Sequence, residues 1–263
     1  MNSFVLRYLD YLLIMIERKL KSLTRLIKFY FFYTARPKYV NPIFYLRKIS
    51  EKIDENKLSK IKNGELKKII DTARSKSDST GCNYSDYLNL YELVKKHKPR
   101  NILELGPGIS SCVLAYALKE NEIEGYEPGI ITCMEESEYY FDNFKKIIPD
   151  EYMEIIKPIY SPRKTAYFEN NFGCFYSNIP GNNFDMIFID GPHTTFPEEP
   201  EKAFDADLIN LIKDKKIKDP LVILDQRVST LEILNELIPG LNLKYNPLKM
   251  VSIGRIKNLE NQD

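Results

Sequence analysis

The segment 102–111 (ILELGPGISS) combines an acid, two glycines and two serines within ten positions. Gly106 and Gly108 allow a tight turn and a close approach of the backbone to a ligand. Ser110 opens a predicted helix, whose free amide groups attract an anionic group. Glu104, at the end of the preceding strand, could receive a cationic amino group. The segment therefore predicts a loop that binds a charged small molecule.

A second acid, Glu135, ends the apolar segment 130–134 (IITCM). A carboxylate at the end of the second strand of a doubly wound sheet can accept hydrogen bonds from both hydroxyls of a ribose. Glu136 and Glu138 follow, so the position of the acid that would bind the ribose is open by one residue. The alternative is that Glu135 is a solvated acid at the start of a helix.

The sequence Asp-Gly-Pro-His at 190–193 follows a third apolar segment and contains one of the two histidines of the chain. His193 could take a proton from a hydroxyl nucleophile. The alternative is that His193 only caps or orients its loop. The other histidine, His97, ends a Lys-rich segment and is predicted to be solvated.

Short apolar segments alternate with helical ones from residue 101 onward. Strands are predicted at 101–105, 130–134, 153–157, 186–190, 221–225, 241–245 and 250–256, and helices at 110–120, 137–148, 200–213 and 229–237. A small hairpin is predicted at 167–176, with its turn at 171–173. Strands that are apolar on both faces and separated by helices predict a doubly wound α/β domain. Ligands bind such sheets at the carboxyl ends of the strands.

The motifs ILELGPGISS, ITCMEESEYYFDNF and FDMIFIDGPH together resemble the class I S-adenosylmethionine-dependent methyltransferases. The resemblance covers about residues 84–256 and implies a mostly parallel, seven-stranded Rossmann-like sheet with an antiparallel terminal strand pair. It implies S-adenosyl-L-methionine as cofactor, with its methionine part at the glycine loop, its ribose at Glu135 and its methyl group near Asp190. The predicted cofactor-binding residues are Glu104, Gly106, Gly108, Ser110 and Glu135, and the predicted catalytic residues are Asp190 and His193. No residue is assigned to the adenine.

Some members of that family, which methylate catechol-like hydroxyls, bind magnesium through acids at the ends of the fourth and fifth strands plus an amide. Asp190, Asp225 and Gln226 could form such a set. Gln226 departs from the usual Asp-Asn pair, so no metal ligand is assigned and a divalent metal is not expected. Arg227 could instead meet an anionic group of the substrate.

The N-terminal part of the chain carries an apolar stripe that repeats every three or four residues, from Leu6 to Ile27. This spacing predicts an amphipathic helix over 3–33. The predicted domains are this basic helix in 1–38, a helical linker region in 39–83 and a catalytic domain in 84–263. Within the linker, a helix over 43–73 is expected to break at Gly64. The helix at 3–33 could dock on its own domain, mediate self-association or lie on an anionic membrane surface.

The net charge of +1 argues against nucleic-acid binding, but residues 1–100 hold 22 Lys and Arg against 10 Asp and Glu. The remaining residues hold 16 against 27, so the two halves have opposite charge. The four cysteines form no CxxC pair, which predicts reduced thiols in a cytoplasmic protein, with peripheral attachment to the membrane as an option. Neither a signal peptide nor a membrane span is expected.

These observations predict a methyltransferase that acts on a hydroxyl of a small molecule or glycan. An NAD(P)-dependent Rossmann oxidoreductase is the first alternative, and it is disfavoured because Ser111 replaces the third glycine of the dinucleotide turn. The second alternative is a non-catalytic binding module whose N-terminal helix docks on a membrane or a partner.

Overall fold

The computed structural model describes residues 42–78, 82–181, 183–199 and 202–256. The chain divides into two compact units, Met1–Lys48 and Ile49–Asp263, and in the first unit the description covers residues 42–48. The helix predicted over 3–33 therefore lies outside the described residues. Within the described ranges, every helix is too short or too polar to cross a lipid bilayer.

Ten strands form two sheets in the second unit. The strands are β1 (Asn101–Leu105), β2 (Ile130–Glu135), β3 (Ile156–Tyr160), β4 (Arg163–Phe168), β5 (Asn171–Tyr176), β6 (Phe184–Ile189), β7 (Phe204–Asp205), β8 (Ile217–Asp225), β9 (Lys244–Asn246) and β10 (Val251–Arg255). The large sheet has the order β3-β2-β1-β6-β8-β10-β9, and the small one has the order β4-β5-β7. Strands β3, β2, β1, β6 and β8 are parallel, while β10 runs antiparallel to both of its neighbours.

The described helices are α1 (Pro42–Leu58), α2 (Glu65–Lys76), α3 (Tyr84–His97), α4 (Ile109–Ile123), α5 (Glu138–Ile147), α6 (Asp207–Lys213) and α7 (Val228–Leu237). The predicted break at Gly64 is confirmed, because this glycine adopts a left-handed φ of 88° between α1 and α2. Helix α3 begins at a capping box in which Asn83 and Asp86 satisfy each other's backbone amides.

Apolar side chains cover both faces of the large sheet. Ile102 of β1 packs in one buried cluster, whereas Leu103 and Leu105 pack in the other. This alternation across a strand that is buried on both sides is typical of a doubly wound sheet. The predicted fold, a mostly parallel seven-stranded sheet with an antiparallel terminal pair, is confirmed.

Helix α2 contributes to the first of these clusters through Leu66, Ile70 and Ala73, all of which are buried. Their spacing of four and three residues places them on one face of the helix. Residues predicted as a linker thus supply core side chains to the domain that the sequence analysis starts at residue 84.

Several element predictions are wrong in their boundaries. Strand β8 begins four residues before the start predicted for it, and β9 begins three residues after its predicted start. The third strand begins three residues later than predicted, because a short 3-10 turn at Asp150–Tyr152 occupies the chain before it. The helix predicted over 200–213 is confirmed only for Asp207–Lys213. Before it, the buried pair Phe204–Asp205 joins β5 as a short strand.

The predicted hairpin is present, but its turn lies at Glu169 and Asn170 instead of 171–173. Glu169 takes the left-handed conformation that the turn requires, with φ 53°. Gly173 lies within β5, where an added Cβ would stand 2.9 Å from the rings of Phe168 and Phe204. This glycine therefore allows close packing of aromatic rings and does not form the turn.

Candidate active site

The carboxyl ends of β1, β2 and β6 open into a cleft of about 320 Å³. This is the point at which the strand order reverses, since β2 and β6 flank β1 on opposite sides. Of the predicted site residues, Gly106, Gly108, Glu135, Asp190 and His193 line the cleft. Glu104 and Ser110 do not line it.

The two glycines of the loop after β1 have different physical roles. Gly106 has a φ of 86°, and a Cβ there would stand 2.8 Å from the backbone of Asp190 and Gly191. The loop can thus pack against the end of β6 only with glycine at this position. Gly108 has an extended backbone, and a Cβ added there would meet nothing within 4 Å. Its open side faces the cleft, where a ligand can approach the backbone.

Glu104 is completely buried beneath this loop. Its carboxylate accepts hydrogen bonds from Ser110 Oγ at 2.6 Å, from Ser111 Oγ and from Cys133 Sγ at 3.2 Å. Burial raises the pKa of Glu104 to about 7, against the opposing effect of these hydrogen bonds. Ser111 Oγ in turn accepts a hydrogen bond from the Gly108 amide. Glu104 and Ser110 therefore hold the shape of the loop from below.

Glu135 is buried at the end of β2, and one of its carboxylate oxygens lies 2.8 Å from the amide of Ser137. Burial, together with the neighbouring carboxylate of Glu136, raises the pKa of Glu135 to about 7. This carboxyl group can change its charge near neutral pH, and a ligand with hydroxyl donors would favour its ionised form.

Glu136 is a site residue that the sequence analysis did not assign. Its carboxylate accepts hydrogen bonds from the His193 amide at 2.8 Å and from the Tyr176 hydroxyl at 3.2 Å. It thereby joins the end of β2 to the loop after β6 and to the small sheet. The sequence shows acids at 135, 136 and 138 but does not separate their roles. The structure shows that Glu135 ends β2, whereas Glu136 holds the loop after β6.

Asp190 and His193 both reach the cleft from the loop after β6. The Asp190 side chain is 34% exposed, and burial raises its pKa to about 6 although the nearby Arg227 lowers it. His193 is exposed, and its Nδ1 lies 2.8 Å from the hydroxyl of Thr195. That contact leaves Nε2 as the ring nitrogen available to a ligand.

Arg227 stabilises this loop from the end of β8. Its guanidinium donates hydrogen bonds to the carbonyls of Asp190 and Pro192 and forms an ion pair of 2.5 Å with buried Asp205 of β7. The sequence suggested that Arg227 could bind an anionic substrate group. Its hydrogen-bonding capacity is instead largely used within the protein, so it positions the loop.

The outer wall of the cleft comes from α5 and from the segment before α3. Tyr140, Asn143 and Phe144 of α5 line the cleft, and so do Ser77 and Asp78 in the segment between α2 and α3. Asp78 accepts hydrogen bonds from Tyr139 at 2.8 Å and from Asn143 at 2.9 Å, which join the two walls. The sequence analysis assigned Ser77 and Asp78 only to the linker region in 39–83, since nothing in its composition indicated this contact.

The acids considered for a magnesium site, Asp190 and Asp225, do lie together. Among the His, Cys, Asp and Glu residues that the structure describes, the third side chain with a donor atom within 4.8 Å of both is Cys82, a thiol. Gln226, the amide considered for this set, is exposed, and its φ of 38° is left-handed. Magnesium prefers oxygen ligands, so the two acids fit it and the sulfur does not.

Comparison with known proteins agrees with this geometry. Residues 103–215 match a family model described as a methyltransferase domain. No curated protein matches the chain in sequence. The match to the family model confirms the resemblance found in the sequence and does not favour the oxidoreductase alternative.

Solved structures share the fold at low sequence identity. A Staphylococcus aureus protein, provisionally described as a caffeoyl-CoA O-methyltransferase, is 18% identical with a TM-score of 0.53, over 79% of this chain and 99% of its own. The S-adenosylhomocysteine-bound methyltransferase PaMTH1 of Podospora anserina is 13% identical with a TM-score of 0.54, over 86% and 100%. A Klebsiella pneumoniae protein, provisionally described as an O-methyltransferase, is 14% identical with a TM-score of 0.51, over 80% and 99%.

Proposed function

We propose that this chain, which carries a class I S-adenosylmethionine-dependent methyltransferase domain, transfers the methyl group to a hydroxyl of a small molecule. The observation that carries the proposal is the single cleft at the switch point of the sheet. It brings together the glycine loop, a buried acid at the end of β2, and an acid and a histidine at the end of β6.

In this proposal the cofactor extends across the cleft from β1 toward β2. The backbone at Gly108 lies against the methionine part of the cofactor, because no side chain fills that space. The carboxylate of Glu135 accepts hydrogen bonds from the ribose hydroxyls. Glu104 and Ser110 act indirectly, by holding the loop that Gly108 belongs to. Asp190 borders the methyl group.

The proposed transfer is an in-line displacement. The acceptor oxygen forms a bond to the methyl carbon while the bond from that carbon to sulfur breaks, and the sulfur keeps the electron pair. His193 takes the hydroxyl proton at Nε2, since Nδ1 faces Thr195. The loop that holds His193 is fixed by Glu136 and Arg227, so the base and the cofactor site keep a constant geometry.

A small-molecule acceptor is supported by the solved structures that share the fold. The cleft of about 320 Å³ lies at the lower end of the range of about 300–1,000 Å³ that is usual for small-molecule sites, which suits the cofactor itself. The S. aureus and K. pneumoniae proteins are both provisionally described as O-methyltransferases, which supports a hydroxyl acceptor. A glycan hydroxyl is the second acceptor class to be assayed.

The acceptor assay measures release of S-adenosylhomocysteine with a panel of phenols, catechols, sugars and amines. We expect turnover with a hydroxyl acceptor and a loss of about 10²- to 10⁴-fold in kcat in His193→Ala, since a general base contributes that much. Affinity for S-adenosylhomocysteine should not change. His97→Ala is the matched control, because His97 contacts Arg255 at the end of α3 and does not line the cleft. Full activity in His193→Ala, or turnover with amines alone, would contradict the proposal.

A further inference from the structure

Three side chains converge beside the cleft, although they are far apart in the sequence. Cys82 precedes α3, Asp190 follows β6 and Asp225 ends β8. Each offers one donor atom, and the three atoms lie within 4.8 Å of one another. The closest described contact is 3.7 Å, from Cys82 Sγ to Asp190 Oδ2.

One carboxylate oxygen of Asp225 lacks a hydrogen-bond partner among the described residues. Its side chain is 93% buried, being 7% exposed, and its Oδ1 has no hydrogen-bond donor within the described ranges. A buried carboxylate oxygen without a donor is costly unless a proton or a cation satisfies it.

The charges around the cluster are mostly negative. Asp86 is 4% exposed, and its Oδ1 also has no donor among the described residues, while its Oδ2 caps α3. The cation facing the cluster is Arg227, whose Nη2 is 3.8 Å from Asp190 Oδ1. Its closer ion pair, however, is with Asp205. The charge of Lys249 lowers the pKa of Asp86, whereas the charge of Glu51 raises it.

We propose that Cys82, Asp190 and Asp225 bind a divalent ion of the zinc type. A thiolate donor favours Zn²⁺ over Mg²⁺, and Zn²⁺ also accepts carboxylate oxygen. The ligand set therefore differs from the two acids and an amide that hold magnesium in catechol-type relatives. The sulfur comes from the segment before α3 and not from the end of β8.

A single ion fits this place better than an ammonium group of a substrate. Asp190 lines the cleft, whereas Cys82 and Asp225 do not line it. An ammonium group on a substrate would have to reach past Asp190 to meet the buried oxygen of Asp225. A single metal ion needs no such opening. One bound ion would also explain both the position of the Cys82 thiol beside the acids and the Asp225 oxygen that has no donor.

The test uses full-length, reduced, metal-stripped protein without S-adenosylmethionine, so it does not depend on the proposed methyl transfer. One equivalent of Co²⁺ should produce a thiolate-to-cobalt charge-transfer band, and Zn²⁺ should abolish it. Cys82→Ser should remove the band and weaken Zn²⁺ binding at least tenfold, and Asp225→Asn should weaken Zn²⁺ binding at least tenfold. Cys112→Ala is the matched control, since Cys112 is a buried cysteine of α4 outside the cluster.

Three results would overturn the proposal. They are no Co²⁺ band in folded wild-type protein, a band that survives in Cys82→Ser, and Zn²⁺ affinity that is unchanged in folded Asp225→Asn. Binding of Mg²⁺ without a cobalt band would show an oxygen-only site and would overturn the sulfur assignment. Affinity for S-adenosylhomocysteine, measured on the same samples, separates failure of this proposal from failure of the proposed function.

Discussion

Glu135 is the single residue whose removal should affect cofactor binding most. In Glu135→Ala we expect the affinity for S-adenosylhomocysteine to fall at least tenfold. Two charge-assisted hydrogen bonds to the ribose would be lost, each worth about 1.5–3 kcal/mol. Calorimetric titration measures the effect, and circular dichroism verifies the fold.

Glu138→Ala is the control for this variant. Glu138 lies three residues along the same run of acids, but it is exposed in the first turn of α5 and does not line the cleft. It should bind S-adenosylhomocysteine as the wild type does. Unchanged affinity in a folded Glu135→Ala protein would refute the ribose assignment.

The raised pKa of Glu135 predicts that cofactor affinity depends on pH. Without ligand this pKa is about 7, and hydroxyl donors of the ribose would stabilise the ionised form. As pH falls below about 7, the ligand must displace a proton from Glu135, so affinity should fall by up to about tenfold per pH unit. Titrations between about pH 8 and pH 6 measure this slope. The same slope in Glu135→Ala would show that another group causes it.

At the residue scale, five of the seven site residues predicted from the sequence line the cleft, but the contacts between side chains there were not predicted. Gly106, Glu135, Asp190 and His193 follow predicted strands, and parallel strands bring their carboxyl ends to one edge. The partner of Arg227 could not be predicted, because Asp205 lies in a segment interpreted as helix. Cys82 and Asp225 lie close together although they are far apart in the sequence. Local sequence patterns do not predict contacts between such distant residues.

Two substitutions in the loop between β1 and α4 should separate an effect on protein stability from an effect on cofactor binding. Gly108→Val should leave the fold intact and abolish binding of S-adenosylhomocysteine, because its branches would enter open space in the cleft. Gly106→Val should destabilise the protein, since it combines a left-handed φ with a Cβ 2.8 Å from the backbone of Asp190. Thermal unfolding and calorimetry on both variants measure the contrast.

Two outcomes would contradict this division of roles between the glycines. Full binding by a folded Gly108→Val protein would place the cofactor elsewhere. A Gly106→Val protein as stable as the wild type would show that the loop can move away from β6.

At the element scale, hydrophobic periodicity predicted the central part of most buried elements but not always their ends, since β8 begins four residues before its predicted start. Strand β1 has its predicted bounds. Each end of α4 lies within a few residues of the end predicted for that helix. The prediction failed where packing overrides periodicity, at the two-residue strand β7 and at the turn of the hairpin. Both belong to the small sheet, in which Phe168 and Phe204 lie close to Gly173.

For the whole molecule, residues 1–38 are predicted to form a basic segment that contributes no residue to the cleft. Deleting them removes eight basic and two acidic residues and none of the cleft residues. Cofactor binding should therefore survive. The predicted helix over 3–33 remains a prediction, since it lies outside the described residues.

Liposome sedimentation and light scattering distinguish the roles of this segment. For a membrane-surface helix, the full-length protein should sediment with anionic liposomes and dissociate as salt shortens the Debye length below about 8 Å. For self-association, deletion should lower the mass in solution without any effect of liposomes. Loss of solubility or of cofactor binding on deletion would contradict both roles and would place the apolar stripe in the core of the catalytic domain.

Calorimetric titration of the full-length protein with S-adenosylhomocysteine, and separately with NAD⁺, tests the central claim most directly. The loop at the cleft lacks the third glycine of a dinucleotide turn, and Glu135, the predicted ribose ligand, lines the cleft. We expect S-adenosylhomocysteine to bind at one site with a Kd in the micromolar range, and NAD⁺ to give no heat of binding. Binding of NAD⁺ in place of S-adenosylhomocysteine would contradict the assignment of this cleft to methyl transfer.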